Sequence, residues 1–133
     1  MLEARLLIET HCARRVAAHG AGIAGALRQS IIAQEDAARD GGAGFTHADR
    51  ECHRTIVAAN GNDLLTRQYD SVRDRQQRIT SAAIARHPAR IDQFIAEHRE
   101  IAAAIERGDG DAVADLIRAH LTVAYTLALR RPS

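Results

Sequence analysis

The sequence predicts an all-α fold, an antiparallel bundle of about six helices forming one domain over residues 1–133. Three observations carry this. Apolar residues recur at spacings of three and four, and no stretch shows the alternation of a strand. Ala, Leu, Ile and Arg dominate while aromatics make up only 3%, a balance that favours helix over sheet. Gly, Asn and Pro punctuate the chain at intervals of helix length.

The first helix covers about residues 2–19 and stops at Gly20-Ala21-Gly22. The second covers about residues 23–39 and ends at Gly41-Gly42; residues 41–44 form the most flexible link inside the domain. A third opens near Thr46 and closes at Asn60-Gly61, where glycine supplies a left-handed stop. Asn62 or Asp63 caps a fourth, which runs to about Arg86 before His87-Pro88 breaks it. The fifth spans about residues 89–107. Gly108-Asp109-Gly110-Asp111 then resets the chain for a sixth, ending near Arg130. Helices of about 15 to 24 residues joined by tight turns pack as antiparallel neighbours.

Composition narrows the function classes. A length of 133 residues with 46% hydrophobic content supports one packed core. The formal charge is +1, so the chain lacks the basic excess of a nucleic-acid reader. Cys12 and Cys52 have no metal-type spacing and are too few for a disulfide framework, which points to a reducing cytoplasm. Charged residues interrupt every apolar run before the roughly 20 residues that span a bilayer, so no membrane role is expected. The opening Met1-Leu2-Glu3-Ala4-Arg5 is not a signal peptide. So abrupt a start leads us to expect a preceding segment.

Four residues stand out. Asp49 and His53 lie one turn apart on a face continued by Phe45, Cys52 and Ile56. His98 sits among Ile91, Phe94, Ile101 and Ile105, and His120 among Val113, Leu116, Ile117, Val123 and Leu127. A titratable group in a helical core is costly unless paired or ligated. Three such helices packed together bring one carboxylate and three imidazoles to a point, a metal site at the centre of the bundle. Imidazole and carboxylate without thiolate suit Zn, and also Ni, Mn, Fe or Co. The spacing leaves open a closed tetrahedral site or an octahedral ion with two positions free.

Other polar residues read differently. His11, His19, His47 and His87 lie near helix ends or charged neighbours and read as surface histidines. Cys52 points about 100° away from His53 and reads as a small buried residue. Gln76 interrupts the stripe Leu65, Tyr69, Val72, Ile79, Ala83, either at the rim of the bundle or facing an effector. Arg5 either pairs with Glu9 on the surface or clamps a ligand carboxylate.

These segments resemble the FCD domain, the C-terminal effector-binding domain of FadR-type regulators in the GntR superfamily. The likeness runs through Arg5-Leu6-Leu7-Ile8-Glu9, Ala48-Asp49-Arg50-Glu51-Cys52-His53-Arg54 and Ala58-Ala59-Asn60-Gly61-Asn62-Asp63-Leu64-Leu65. It continues through Ala96-Glu97-His98-Arg99-Glu100-Ile101, Ala104-Ile105-Glu106-Arg107-Gly108-Asp109 and Arg118-Ala119-His120-Leu121. The resemblance implies that Asp49, His53, His98 and His120 ligate a metal. A small organic acid would bind beside it, with Arg5 helping to hold that acid. It also implies a homodimer whose paired winged helix-turn-helix domains, absent from this chain, hold operator DNA. Cys52 departs from the family, which usually has a large apolar residue there, and effector identity therefore does not carry over.

The expected role is a metal-dependent carboxylate sensor and not an enzyme. Two alternatives compete. A metalloenzyme would need a general acid or base near the metal, and no unassigned Asp or Glu lies on an apolar stripe. In the other alternative, the metal only staples the bundle.

Overall fold

The computed structural model describes residues 2–19 and 22–129. Helices account for all regular structure among them: α1 (Leu2–His19), α2 (Ala24–Arg39), α3 (Phe45–Ala58), α4 (Asp63–Asp70), α5 (Arg73–Arg86), α6 (Ile91–Glu106) and α7 (Gly110–Leu129). A single 3-10 turn, Pro88–Arg90, leads into α6.

Six helices were expected and seven are found, because the predicted fourth helix is two. The chain breaks at Ser71-Val72, where Val72 leaves helical geometry at φ −109°, ψ 8°. The Ser71 hydroxyl donates to the Gln68 carbonyl at 2.6 Å, a local bond that competes with the helical ladder. The break lets α4 lie against α1 and α3 while α5 turns to pack on α7 and α3. The apolar spacing runs unbroken through this point, so periodicity alone cannot find it. The predicted end of the last helix at Arg130 lies outside the described residues.

Most predicted boundaries have physical counterparts. Gly61 takes φ +82°, and the Asn62 side chain accepts from the backbone N–H groups of Leu64 and Leu65 at 3.0 and 3.3 Å. Asp109 caps α7 by accepting from Ala112 N–H at 3.0 Å. In the α2–α3 link, Gly41, Gly42 and Gly44 all have positive φ, which lets a very short connection reverse the chain.

Two apolar clusters fill the bundle. One gathers Val16, Leu27, Ile56, Ile101, Val113 and Ile117; the other gathers Ile31, Phe45, Phe94, Ile95, Leu127 and Ala128. Along α3, Asp49 and His53 fall between Phe45 of the second cluster and Ile56 of the first. Along α6, His98 falls between Ile95 and Ile101 in the same way. The polar residues therefore occupy the level where the two clusters meet. By length and composition alone helix α7 is apolar enough to cross a membrane, although Asp115 and Arg118 interrupt its apolar run as the sequence reading holds. Its buried face packs on α1, α5 and α6 and carries His120, which makes it the central helix of this bundle.

The α2–α3 link gives a test of the backbone. A Cβ on Gly42 would meet Ile91 Cδ1 at 3.1 Å and would also sit at φ +92°, whereas a Cβ on Gly41 meets nothing. Gly41→Ala should lose about 1–2 kcal/mol through the left-handed backbone alone, and Gly42→Ala should lose more. Urea unfolding of the two variants checks the order.

Candidate metal centre

Asp49, His53, His98 and His120 converge as the sequence predicts. All four are buried, and one ligand atom from each lies within 4.8 Å of every other. Asp49 Oδ1 is 3.3 Å from His53 Nε2 and 3.2 Å from His98 Nε2, and His98 Nε2 is 3.1 Å from His120 Nε2. The His53 and His120 rings stack at 5.3 Å, and Phe94 meets the His120 ring edge-on at 5.6 Å.

The opposite edge of each ring is held by its own acceptor. His53 Nδ1–H donates to Glu9 Oε1 at 2.5 Å, and His98 Nδ1–H to Gln34 Oε1 at 2.5 Å. His120 Nδ1–H donates to Glu97 Oε1 at 2.7 Å. Such bonds hold the Nδ1 edge of each ring, so every Nε2 is turned toward the common point. Thr80 Oγ1 donates to Asp49 Oδ2 at 3.0 Å and leaves Oδ1 facing the imidazoles. His53 Nε2 is buried with no hydrogen-bond partner among the described residues. A divalent cation would satisfy that atom, and the donor set fits one.

The electrostatics agree. Burial opposes ionisation of Glu9, but the Arg5 guanidinium and His53 outweigh it and hold the carboxyl at about 2. Burial also disfavours a charged His53, yet Glu9 and Asp49 push it up to about 9. The Asp49 carboxyl, though buried, is kept well below its ordinary range by His53 and His98. His98 is pulled down to about 4 by burial, so its ring is neutral at neutral pH. The carboxylates thus favour a positive charge at the centre.

Arg5 is not on the surface. It is 2% exposed, and its Nε donates to Glu9 Oε2 at 2.7 Å, so the pairing expected with Glu9 exists but is buried. Arg5 lines a narrow cavity together with Asp49, His53, Thr80, Phe94, His120, Leu121 and Ala124. There is room in it for about one water molecule. Gln76 is fully buried, not at the rim, and is not among the residues lining that cavity. Of the four histidines read as surface residues, His11, His19 and His47 are exposed; His87 is half-buried.

Sequence reasoning missed Glu9, Gln34, Thr80 and Glu97. The statement that no spare carboxylate lies on an apolar stripe is wrong for Glu9, which shares a face with Cys12, Ala13 and Val16. Gln34 carried the same signal, three residues after Ile31 and seven after Leu27. Glu97 gave none, since it neighbours His98 in sequence yet serves His120 on the next helix. Glu9 does not rescue a general-base role, because it holds the Nδ1 edge of His53, away from the Nε2 cluster.

Removing one partner of a buried pair strands the other charge. Glu9→Ala should therefore cost about 3 kcal/mol or more of unfolding free energy. Asp70→Ala, which breaks the half-exposed pair with Arg54, should cost less than about 1 kcal/mol. Guanidinium titrations of both variants give the comparison.

A search of curated proteins finds no match for the chain. Among solved structures, the metal-free FCD domain of TM0439, a candidate transcriptional regulator, has the same fold, with a TM-score of 0.74 at 19% sequence identity. The alignment covers 96% of this chain and 88% of that one. The FCD domain family profile matches residues 1–123. The chain therefore belongs to the FCD domain family.

Proposed function

We propose that this chain is the effector-binding domain of a GntR/FadR-type transcriptional regulator, sensing a small carboxylate at a metal held by Asp49, His53, His98 and His120. The observation that carries the reading is the outer ring of hydrogen bonds from Glu9, Gln34 and Glu97, which aims three Nε2 atoms at one point beside Asp49. Purely structural core histidines would need no common focus. Zinc is the first expectation from the donor set, with Ni, Mn, Fe or Co also accommodated. When bound, the ion supplies positive charge and coordination sites for an anionic ligand.

The protein's own part is positioning and gating. Asp49 and the imidazoles hold the centre, Thr80 fixes the carboxylate, and Arg5 adds a cation to the cavity wall. A carboxylate does not fit a space for about one water, so its entry requires lining residues to move, Phe94, Leu121 and Ala124 among them. Those residues belong to α6 and α7, and a ligand that prefers their shifted arrangement biases the bundle. In the proposed regulator, a cytoplasmic homodimer transmits that bias to operator DNA through N-terminal winged helix-turn-helix domains outside this chain.

A structural staple is the second reading, and the tightness of the cavity favours it. Catalysis is disfavoured because Asp49, itself a ligand, is the one carboxylate lining the cavity among the described residues.

Elemental analysis of protein purified without chelators should find about one first-row transition metal per chain. In the metal-loaded protein, one of a panel of small carboxylates should raise the melting temperature. At about 100 times its dissociation constant it adds roughly 2.7 kcal/mol. Metal without any carboxylate response would leave the staple; no metal under any loading condition would defeat both readings. His98→Ala should cost a few kcal/mol and abolish stoichiometric metal uptake.

A further inference from the structure

Helix α5 carries four arginines, Arg73, Arg75, Arg78 and Arg86, against the single carboxylate of Asp74. Helix α6 has the opposite balance, four acidic residues against Arg99 alone. The net charge of +1 therefore averages unlike surfaces. The lack of a basic excess holds for the whole chain but not for α5.

Elsewhere on the surface, arginines meet carboxylates: Arg14 with Asp111, Arg28 with Glu106, Arg39 with Asp36 and Arg99 with Glu35. Arg75, Arg78 and Arg86 are exposed and make no ion pair or side-chain hydrogen bond among the described residues, although Asp74 lies one turn before Arg78. At about 100° per residue, α5 sets these three within about 80° of one another around its axis. They face away from the side on which Gln76, Thr80 and Ala83 are buried. The stripe is about 16 Å long. Ser81, Ala82 and Ala85 lie among the arginines, while Ile79 and Ile84 pack on the core.

That composition selects the partner. Protein interfaces are held by aromatic and apolar anchors, and a helix lies on a membrane by inserting such residues. The α5 stripe has neither. Single-stranded nucleic acid needs aromatic rings on which bases stack, and these are absent too. A surface that presents cationic charge alone fits a duplex backbone, whose protein interfaces are polar and strongly positive. Over about 16 Å, one strand of B-DNA offers about five negative charges.

We infer that the exposed face of α5 bearing Arg75, Arg78 and Arg86 is a DNA-contact surface that holds the phosphates of a duplex without reading its bases. It belongs to this domain itself and supplements any separate DNA-reading domain. The inference depends neither on the metal nor on an effector.

Fluorescence anisotropy of a labelled duplex of about 20 base pairs, in about 10 mM salt, reads binding by the whole chain. Log affinity should fall against log salt with a slope of about −3, one phosphate for each arginine. The triple variant Arg75→Gln/Arg78→Gln/Arg86→Gln should bind about tenfold or more weakly, with a slope shallower than about −1. Arg15→Gln/Arg107→Gln/Arg118→Gln removes the same charge from exposed positions outside α5, and should change affinity by less than about twofold. Both variants should keep the circular dichroism and melting temperature of the parent, because all six side chains are exposed. Absence of duplex binding by the parent, or equal weakening by the two variants, would overturn the inference. So would displacement of the duplex by an equal charge concentration of polyglutamate or of phosphatidylserine vesicles, which would assign the face to an acidic protein or a lipid surface.

Discussion

Keeping three imidazoles and a carboxylate inside an apolar bundle is the constraint to which the rest of this structure answers. Each group would be prohibitively costly if left alone there. The solution is two-layered. Asp49 and the Nε2 atoms face inward toward one another, while Glu9, Gln34 and Glu97 hold the Nδ1 edges from outside. The outer groups need partners in turn: Arg5 for Glu9, Ser30 for Gln34, Gln93 for Glu97. Polar residues thus radiate from the centre until they reach solvent or a neutralising charge.

That arrangement explains the placement of the helices. Five of them, α1, α2, α3, α6 and α7, supply the inner residues or their outer partners, and α5 supplies Thr80. The break at Ser71-Val72 belongs to the same scheme. It allows Tyr69 to close the side toward α1, where Cys12 and Val57 cover it, while α5 carries Thr80 to Asp49. Surface pairs such as Arg14 with Asp111 and Arg28 with Glu106 tie helices together from outside, but exposed pairs contribute little.

Much of this was legible in the sequence, and the illegible part has a pattern. Asp49, His53, His98 and His120 could be read because each sits on a long apolar stripe, and stripes report burial. The six-helix count failed at one place because Leu65, Tyr69, Val72, Gln76 and Ile79 keep helical spacing across a real break. A hydroxyl competing for one carbonyl is invisible to periodicity. Arg5 and Glu9 were misplaced because an i, i+4 charge pair looks the same exposed or buried; only the packing of α3 and α7 over α1 decides. Glu97 was beyond reach, since its partner is set by the crossing of two helices and not by either sequence alone.

The hydrogen bonds that orient the imidazoles join residues far apart along the chain. Glu9 and His53 are separated by 44 positions, and Gln34 and His98 by 64. Neighbouring helices can find each other early because short loops close at small entropic cost, whereas these links require nearly the whole chain to be in place. The centre is consequently a late product of folding. Until the helices are packed, the histidines share no common focus and the hydrogen bonds that orient them are unmade. The common focus of the imidazoles is in that sense a property of the finished topology and belongs to no helix alone.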